Sequence, residues 1–118
     1  MWERHNIMGQ QALGNANYGE AENQFRLAVA DLDSTNKWDP KLPQVLNNLA
    51  NVLRQTGKHA EAETTYKRAI EIKEKVAGPF SQELVPILQN YAKLLKMMGK
   101  EQEATKIEKK AMALFSKT

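Results

Sequence analysis

Residues 46–69 read LNNLANVLRQTGKHAEAETTYKRA, and the spacing of their apolar positions decides the fold. Leu46, Leu49, Ala50 and Leu53 recur at intervals of three and four, which places them on one face of a helix. Thr56-Gly57-Lys58 interrupts the pattern, and Ala62, Tyr66 and Ala69 then repeat it. A glycine at the break ends the first helix where a left-handed backbone is cheap. The stretch therefore predicts two antiparallel helices joined by a tight turn. One such hairpin cannot bury its apolar face alone, so its neighbours must resemble it.

They do. Adding 42 gives Leu88, Tyr91, Ala92, Leu95, Gly99, Ala104 and Ala111, with Glu108 where Tyr66 stood. Subtracting 41 gives Ala21, Phe25 and Ala28 on a second helix, and His5, Met8, Gly9 and Ala12 on a first. In every copy nine positions separate the last marker of helix A from the first alanine of helix B: Ala12 to Ala21, Leu53 to Ala62, Leu95 to Ala104. Three hairpins follow, with helices expected over about 2–14, 18–33, 40–56, 59–76, 81–98 and 101–115. Asp39-Pro40 reads as the N-cap and first-turn proline of the third helix, and Trp38 as a lid on the first hairpin. Gly9 fills a small slot where helix B must come close.

The large residue, Leu, Gly or Ala, and Tyr of helix A, followed by Ala, an aromatic and Ala in helix B, resemble the tetratricopeptide repeat. The spacing of about 42, with LNNLANVL and KRAIEIKEKVAGP, resembles its longer-helix variety, typified by kinesin light chains. This resemblance implies an all-α, right-handed superhelical solenoid over 1–118, with repeats at about 1–35, 40–77 and 81–116. It also implies a non-enzymatic adaptor that holds peptide segments of other proteins in a concave groove lined by helix A.

Composition narrows the alternatives. With 42% hydrophobic and 26% charged residues the chain is of globular type. It has no Cys, hence no disulfide, thiolate metal site or thiol nucleophile. No run of ~18 apolar residues suggests a membrane span, and the first residues lack the apolar centre of a secretory signal. A cytoplasmic location is therefore expected. The net charge of +3 slightly favours acidic partners. Nucleic acid is not expected, because helix A offers no repeated base-stacking residues.

Carried over position by position, the resemblance puts Glu3, Asn6, Ile7, Gln10 and Leu13 of repeat one in the groove. Repeat two supplies Gln44, Asn47, Asn48, Asn51, Arg54 and Gln55, and repeat three Gln89, Asn90, Lys93, Lys96 and Met97. Five Asn and Gln in the helix A of repeat two oppose helix propensity without aiding packing. A solvated face is the plain reading of these amides. Contact with a peptide backbone is favoured over it, since an amide both donates and accepts, while Arg54, Lys93 and Lys96 suit acidic groups. Asn47, Asn48 and Asn90 lead the set, and Asn48 with Asn90 is expected to be removable without loss of stability. The two-carboxylate clamp of chaperone-binding relatives is not expected. Its slots hold Asn6, Gln10, Pro86 and Asn90, and only Asn48 matches.

No catalytic, cofactor or metal site is expected. His5 and His59 lack partners at ligand spacing, and Glu61, Glu63, Glu101 and Glu103 sit where they complement helix dipoles. Two other functions stay open: a scaffold that self-associates through its solenoid ends, and the regulatory repeats of a larger signalling protein. Weak self-association is expected from Met112, Leu114 and Phe115 at one end and an uncovered first helix at the other.

Overall fold

Each hairpin turn is closed by the same pair of backbone bonds. The amides of Asn17, Lys58 and Lys100 each donate at 2.8 Å to the carbonyls of Ala12, Leu53 and Leu95, the last helix-A markers of the three copies. The residue before each donor takes the left-handed conformation and bonds back three residues: Gly57 at φ 82° to Arg54 and Gly99 at φ 78° to Lys96. This Schellman closure satisfies the carbonyls that a helix end leaves free. In the first hairpin the slot holds Ala16, at φ 57°. Its Cβ crowds the following carbonyl there, at about 1–2 kcal/mol. Ala16→Gly is therefore expected to stabilise the chain by ~1 kcal/mol, read as a rise in the thermal midpoint. An unchanged or lower midpoint would contradict it.

The computed structural model describes residues 1–116, and among these it is all-α. The helices are α1 (Trp2–Gly14), α2 (Tyr18–Asp33), α3 (Leu42–Gln55), α4 (His59–Ala77), α5 (Leu84–Met97) and α6 (Glu101–Phe115). The hairpins α1–α2, α3–α4 and α5–α6 stack, with α2 against α3 and α4 against α5.

The core lies along these contacts. Ala21, Phe25, Ala50, Leu53, Ala62, Tyr66, Ala69, Leu95 and Ala104 are all buried. A Cβ on Gly9 would lie 2.6 Å from Cε1 of Phe25, so the missing side chain is what lets α2 approach α1. Tyr66 lies fully inside, its ring 6.0 Å from that of Tyr91 on α5, so it bridges repeats two and three.

The third helix begins two residues later than expected. Asp39 does not cap it: its carboxylate accepts from the Lys41 amide at 2.8 Å, closing a turn ahead of the helix, and Lys41 is the N-cap. Pro43 occupies the first turn, where its missing N–H leaves nothing unbonded. Trp38 is exposed. The ammonium of Lys75, on α4, stands 4.2 Å from its ring centre, a cation–π contact between the connector and repeat two.

Candidate functional site

Helices α1, α3 and α5 form one wall, and asparagine amides join them. Asn48 Nδ2 donates to Asn6 Oδ1 at 3.1 Å, and Asn90 Nδ2 to Asn47 Oδ1 at 3.3 Å. The two bonds are one bond repeated. Asn6 and Asn47 differ by the first repeat interval of 41, and Asn48 and Asn90 by the second of 42. Each rung ties a helix A to the next.

The rungs change what these residues can do. Asn6 is buried, and Asn47, Asn48 and Asn90 are half-buried. Replacing Asn48 and Asn90 would leave Asn6 and Asn47 without their donors, so the pair is not free of structural work. Each lost bond costs about 0.5–1.5 kcal/mol. Each rung amide nevertheless keeps one functional group unspent. Asn47 uses its oxygen and retains its Nδ2; Asn90 uses its Nδ2 and retains its oxygen.

The other groove candidates divide in two. Asn51 accepts from the Tyr66 hydroxyl, and Arg54 Nε donates to the same oxygen at 3.2 Å, so both serve the core. Burial raises the Tyr66 hydroxyl above its ordinary pKa. Lys96 pairs with Glu108 at 2.7 Å, an intrarepeat contact between α5 and α6. Gln10, Gln44, Gln89 and Lys93 are exposed, and Lys93 has no ion-pair partner among the described residues. These four, with the spare groups of the rungs, make the wall's open donor and acceptor set.

Behind the wall, ion pairs repeat with the same periodicity. Lys58 pairs with Glu22 at 3.0 Å, and Lys100 with Glu63 at 3.2 Å, one repeat further on. Arg68 pairs with Asp33, and Lys110 with Glu74 at 2.9 Å, again one repeat apart. Arg26 adds a bond to Glu61 at 2.7 Å. Burial pushes the Glu22 carboxyl up, but hydrogen bonds from Lys58 and Arg26 outweigh it and hold the group below its usual value. The Tyr91 hydroxyl, buried and facing the Glu63 carboxylate, is pushed up to about 12. A single repeat read in isolation gives no hint of this ladder. Its signal is the recurrence of acid and base at a fixed interval.

The ladder stops at both ends. The next acids would stand at Thr105 and Ser116, and the preceding bases at Asn17 and Leu27. The outer face of α1 is polar: Arg4 and Gln11 are exposed where repeats two and three bury Val45 with Val52 and Ile87 with Leu94. That end is not the apolar surface expected for an uncovered first helix. At the other end Met112 and Phe115 are exposed, lining a pocket of about 470 Å³ with Gln89, Ala111 and Ser116. Leu114 does not join them; it is buried with Leu84, Val85 and Leu88.

Among the described residues no group of three His, Cys, Asp or Glu is placed to hold a metal. His5 Nδ1 lies 2.8 Å from the Gln24 side-chain oxygen on α2, which orients the ring inside the first hairpin. Among the described residues no helix is long and apolar enough to cross a membrane.

Against this geometry, the family model described as tetratricopeptide repeat matches residues 41–117. The chain belongs to the tetratricopeptide repeat family. The match is to the repeat as such and does not single out the longer-helix variety. Among solved structures, the TPR domain of Arabidopsis FLU superposes with a TM-score of 0.88 at 18% identity, covering 99% of this chain and 96% of that one. At that identity the likeness establishes the fold, a TPR solenoid, and nothing of the partner. No curated protein matches the chain in sequence. TPR repeats generally form a non-catalytic platform for binding other proteins.

Proposed function

We propose that the concave wall holds an extended segment of a partner protein, with acidic segments preferred. The observation that carries this reading is the asparagine ladder and the amide and ammonium groups left open beside it. The rungs hold α1, α3 and α5 in register, so Gln10, Gln44, Gln89 and Lys93 are presented on a rigid surface. A rigid surface loses little conformational entropy on binding. Unspent amides along one wall match the alternating donors and acceptors of an extended peptide backbone, and Lys93 adds a cation for its carboxylates.

Peptides selected from a random 12-residue display library test this. The triple variant Gln44→Ala, Gln89→Ala, Lys93→Ala is expected to bind the selected peptides at least ~50-fold more weakly, the loss of two neutral and one charge-assisted hydrogen bond. Its thermal midpoint should stay within a few degrees of the parent, since all three side chains are exposed. Affinity of the parent should fall as salt rises past ~0.1 M, where the Debye length is ~10 Å. Selected peptides that bind the triple variant as well as the parent would end the groove reading.

The self-association alternative has support at one end only. A head-to-tail pair would set Arg4 and Gln11 against Met112 and Phe115, with none of the rungs that join the repeats.

A further inference from the structure

A second pocket, of about 300 Å³, opens where the N-terminal turns of α3 and α5 meet the end of α4. Its apolar walls are Pro43, Pro86 and Ile87. Gln44 and Asn47 face into it from α3, and Asn47 has an unspent Nδ2 because its oxygen is taken by Asn90. Lys73 of α4 reaches in from behind, its side chain only 15% exposed.

Lys73 breaks the rule of its own repeat. Its equivalents are Leu32, which is buried, and Phe115. At the first interface, then, the slot is packed with a buried apolar residue, while Phe115, at the end of the array, is apolar but exposed. A mostly buried ammonium needs an anion near it. Here the anion is Glu83, which pairs with Lys73 from the turn before α5 and whose side chain is 69% exposed. Glu83 too is peculiar to this interface, since its equivalent at the first one is Lys41. A carboxylate on an exposed turn, laid over a cation set between two amide donors and an apolar wall, has the form of an occupant that can leave.

We propose that this pocket is a carboxylate-binding site, in which Lys73 with Gln44 and Asn47 takes an acidic side chain or the C-terminal carboxylate of a bound segment, and Glu83 holds the site until that group displaces it. The inference rests on the groove reading and adds one fixed anchor at the groove edge, on a helix B that the groove candidates did not include. An internal competitor lowers apparent affinity by the fraction of time it occupies the site. Removing the competitor and removing the cation must therefore act in opposite directions, which no purely structural ion pair would do.

Three short peptides separate the sources of the carboxylate. Acetyl-Gly-Ala-Leu-Ala-Gly with a free C-terminus carries a terminal carboxylate, and acetyl-Gly-Ala-Glu-Ala-Gly-amide an internal one. Acetyl-Gly-Ala-Leu-Ala-Gly-amide carries none. Titrated into ¹⁵N-labelled protein, at least one charged peptide should shift the side-chain amide signals of Gln44 and Asn47, and the neutral one should not. Glu83→Gln should tighten that binding ~3–10-fold; Glu83 makes no capping bond, so the helix start is unaffected. Lys73→Met should weaken it at least ~30-fold, and Leu32 at the same slot of repeat one indicates that an apolar residue is tolerated there.

No shift with either charged peptide, even in Glu83→Gln, would overturn the proposal. So would unchanged affinity in Lys73→Met, or no gain in Glu83→Gln. The groove is judged separately. Display-selected peptides that depend on Gln89 and Lys93 but are indifferent to Lys73→Met would remove the carboxylate site and leave the groove. The short carboxylates binding as expected while no selected peptide depends on Gln89 or Lys93 would do the reverse.

Discussion

Replacing Tyr66 by alanine is expected to destabilise the chain by ~3–5 kcal/mol, the range for deleting a buried aromatic. For 118 residues that lowers the thermal midpoint by roughly 10–20 °C. Tyr66 is fully buried, and its ring meets Tyr91 across the boundary of repeats two and three. Its hydroxyl is the shared partner of Asn51 and Arg54. The alanine variant therefore opens a cavity at a repeat interface and strands two polar groups of the helix-A wall. In a stacked array stability is close to a sum of repeat and interface contributions. The loss should consequently appear as earlier opening of α5 and α6, with α1 and α2 retaining more of their amide protection in hydrogen exchange. Tyr66→Phe separates the two parts. It keeps the ring and loses the hydroxyl, so it should cost only ~1 kcal/mol. Equal effects from both variants, or a midpoint drop below ~5 °C for the alanine, would show that the ring does not join the repeats.

What the sequence yielded and what it withheld divide along a physical line. Helix periodicity and turn chemistry are local, and there the reading was close: α1, α2 and α6 have the expected bounds, because each turn repeats one backbone closure. The start of α3 was misplaced because Asp39 can cap a helix or close a turn, and the two differ by one hydrogen bond. The rungs were hidden for another reason. Asn48 and Asn90 have the surface pattern of a solvated wall within their own helices, and only stacking brings Asn6 and Asn47 to them. The repeat interval already related these four residues in pairs, but it does not say which side chains touch. Lys73 is hidden in the sequence because it lies on helix B, in a run of alternating charges that reads as solvated surface. Its mismatch with Leu32 and Phe115 was the available sign. Departures of this kind, where a local rule is broken without gain in packing, are where function is to be sought.

Gly9 carries the last expectation, which tests how the first hairpin closes. Valine there is expected to destabilise the chain by about 2–3 kcal/mol, near the upper end of the overpacking range. Three atoms of the Phe25 ring lie 2.6, 2.7 and 2.9 Å from the position that a Cβ would take, and the ring is fully buried. It has no room to withdraw, so α1 must shift away from α2. The helix itself would gain from the change, since glycine is ~0.8–1.0 kcal/mol less favourable than alanine in a helix interior. Packing outweighs propensity here. Repeats two and three carry Ala50 and Ala92 at the same slot, opposite Tyr66 and Glu108, so the glycine answers to Phe25 and not to the repeat in general. A compensating change should therefore rescue it. Gly9→Ala alone is expected to destabilise by ~1–2 kcal/mol, and Gly9→Ala with Phe25→Leu should be more stable than the sum of the two single changes, because the smaller side chain frees the space that the new Cβ takes. Thermal melts of the four species form a double-mutant cycle, and a coupling of ~0.5 kcal/mol or more between the sites is expected for residues in contact. Additive effects would mean that the close approach of α1 and α2 does not depend on this pair.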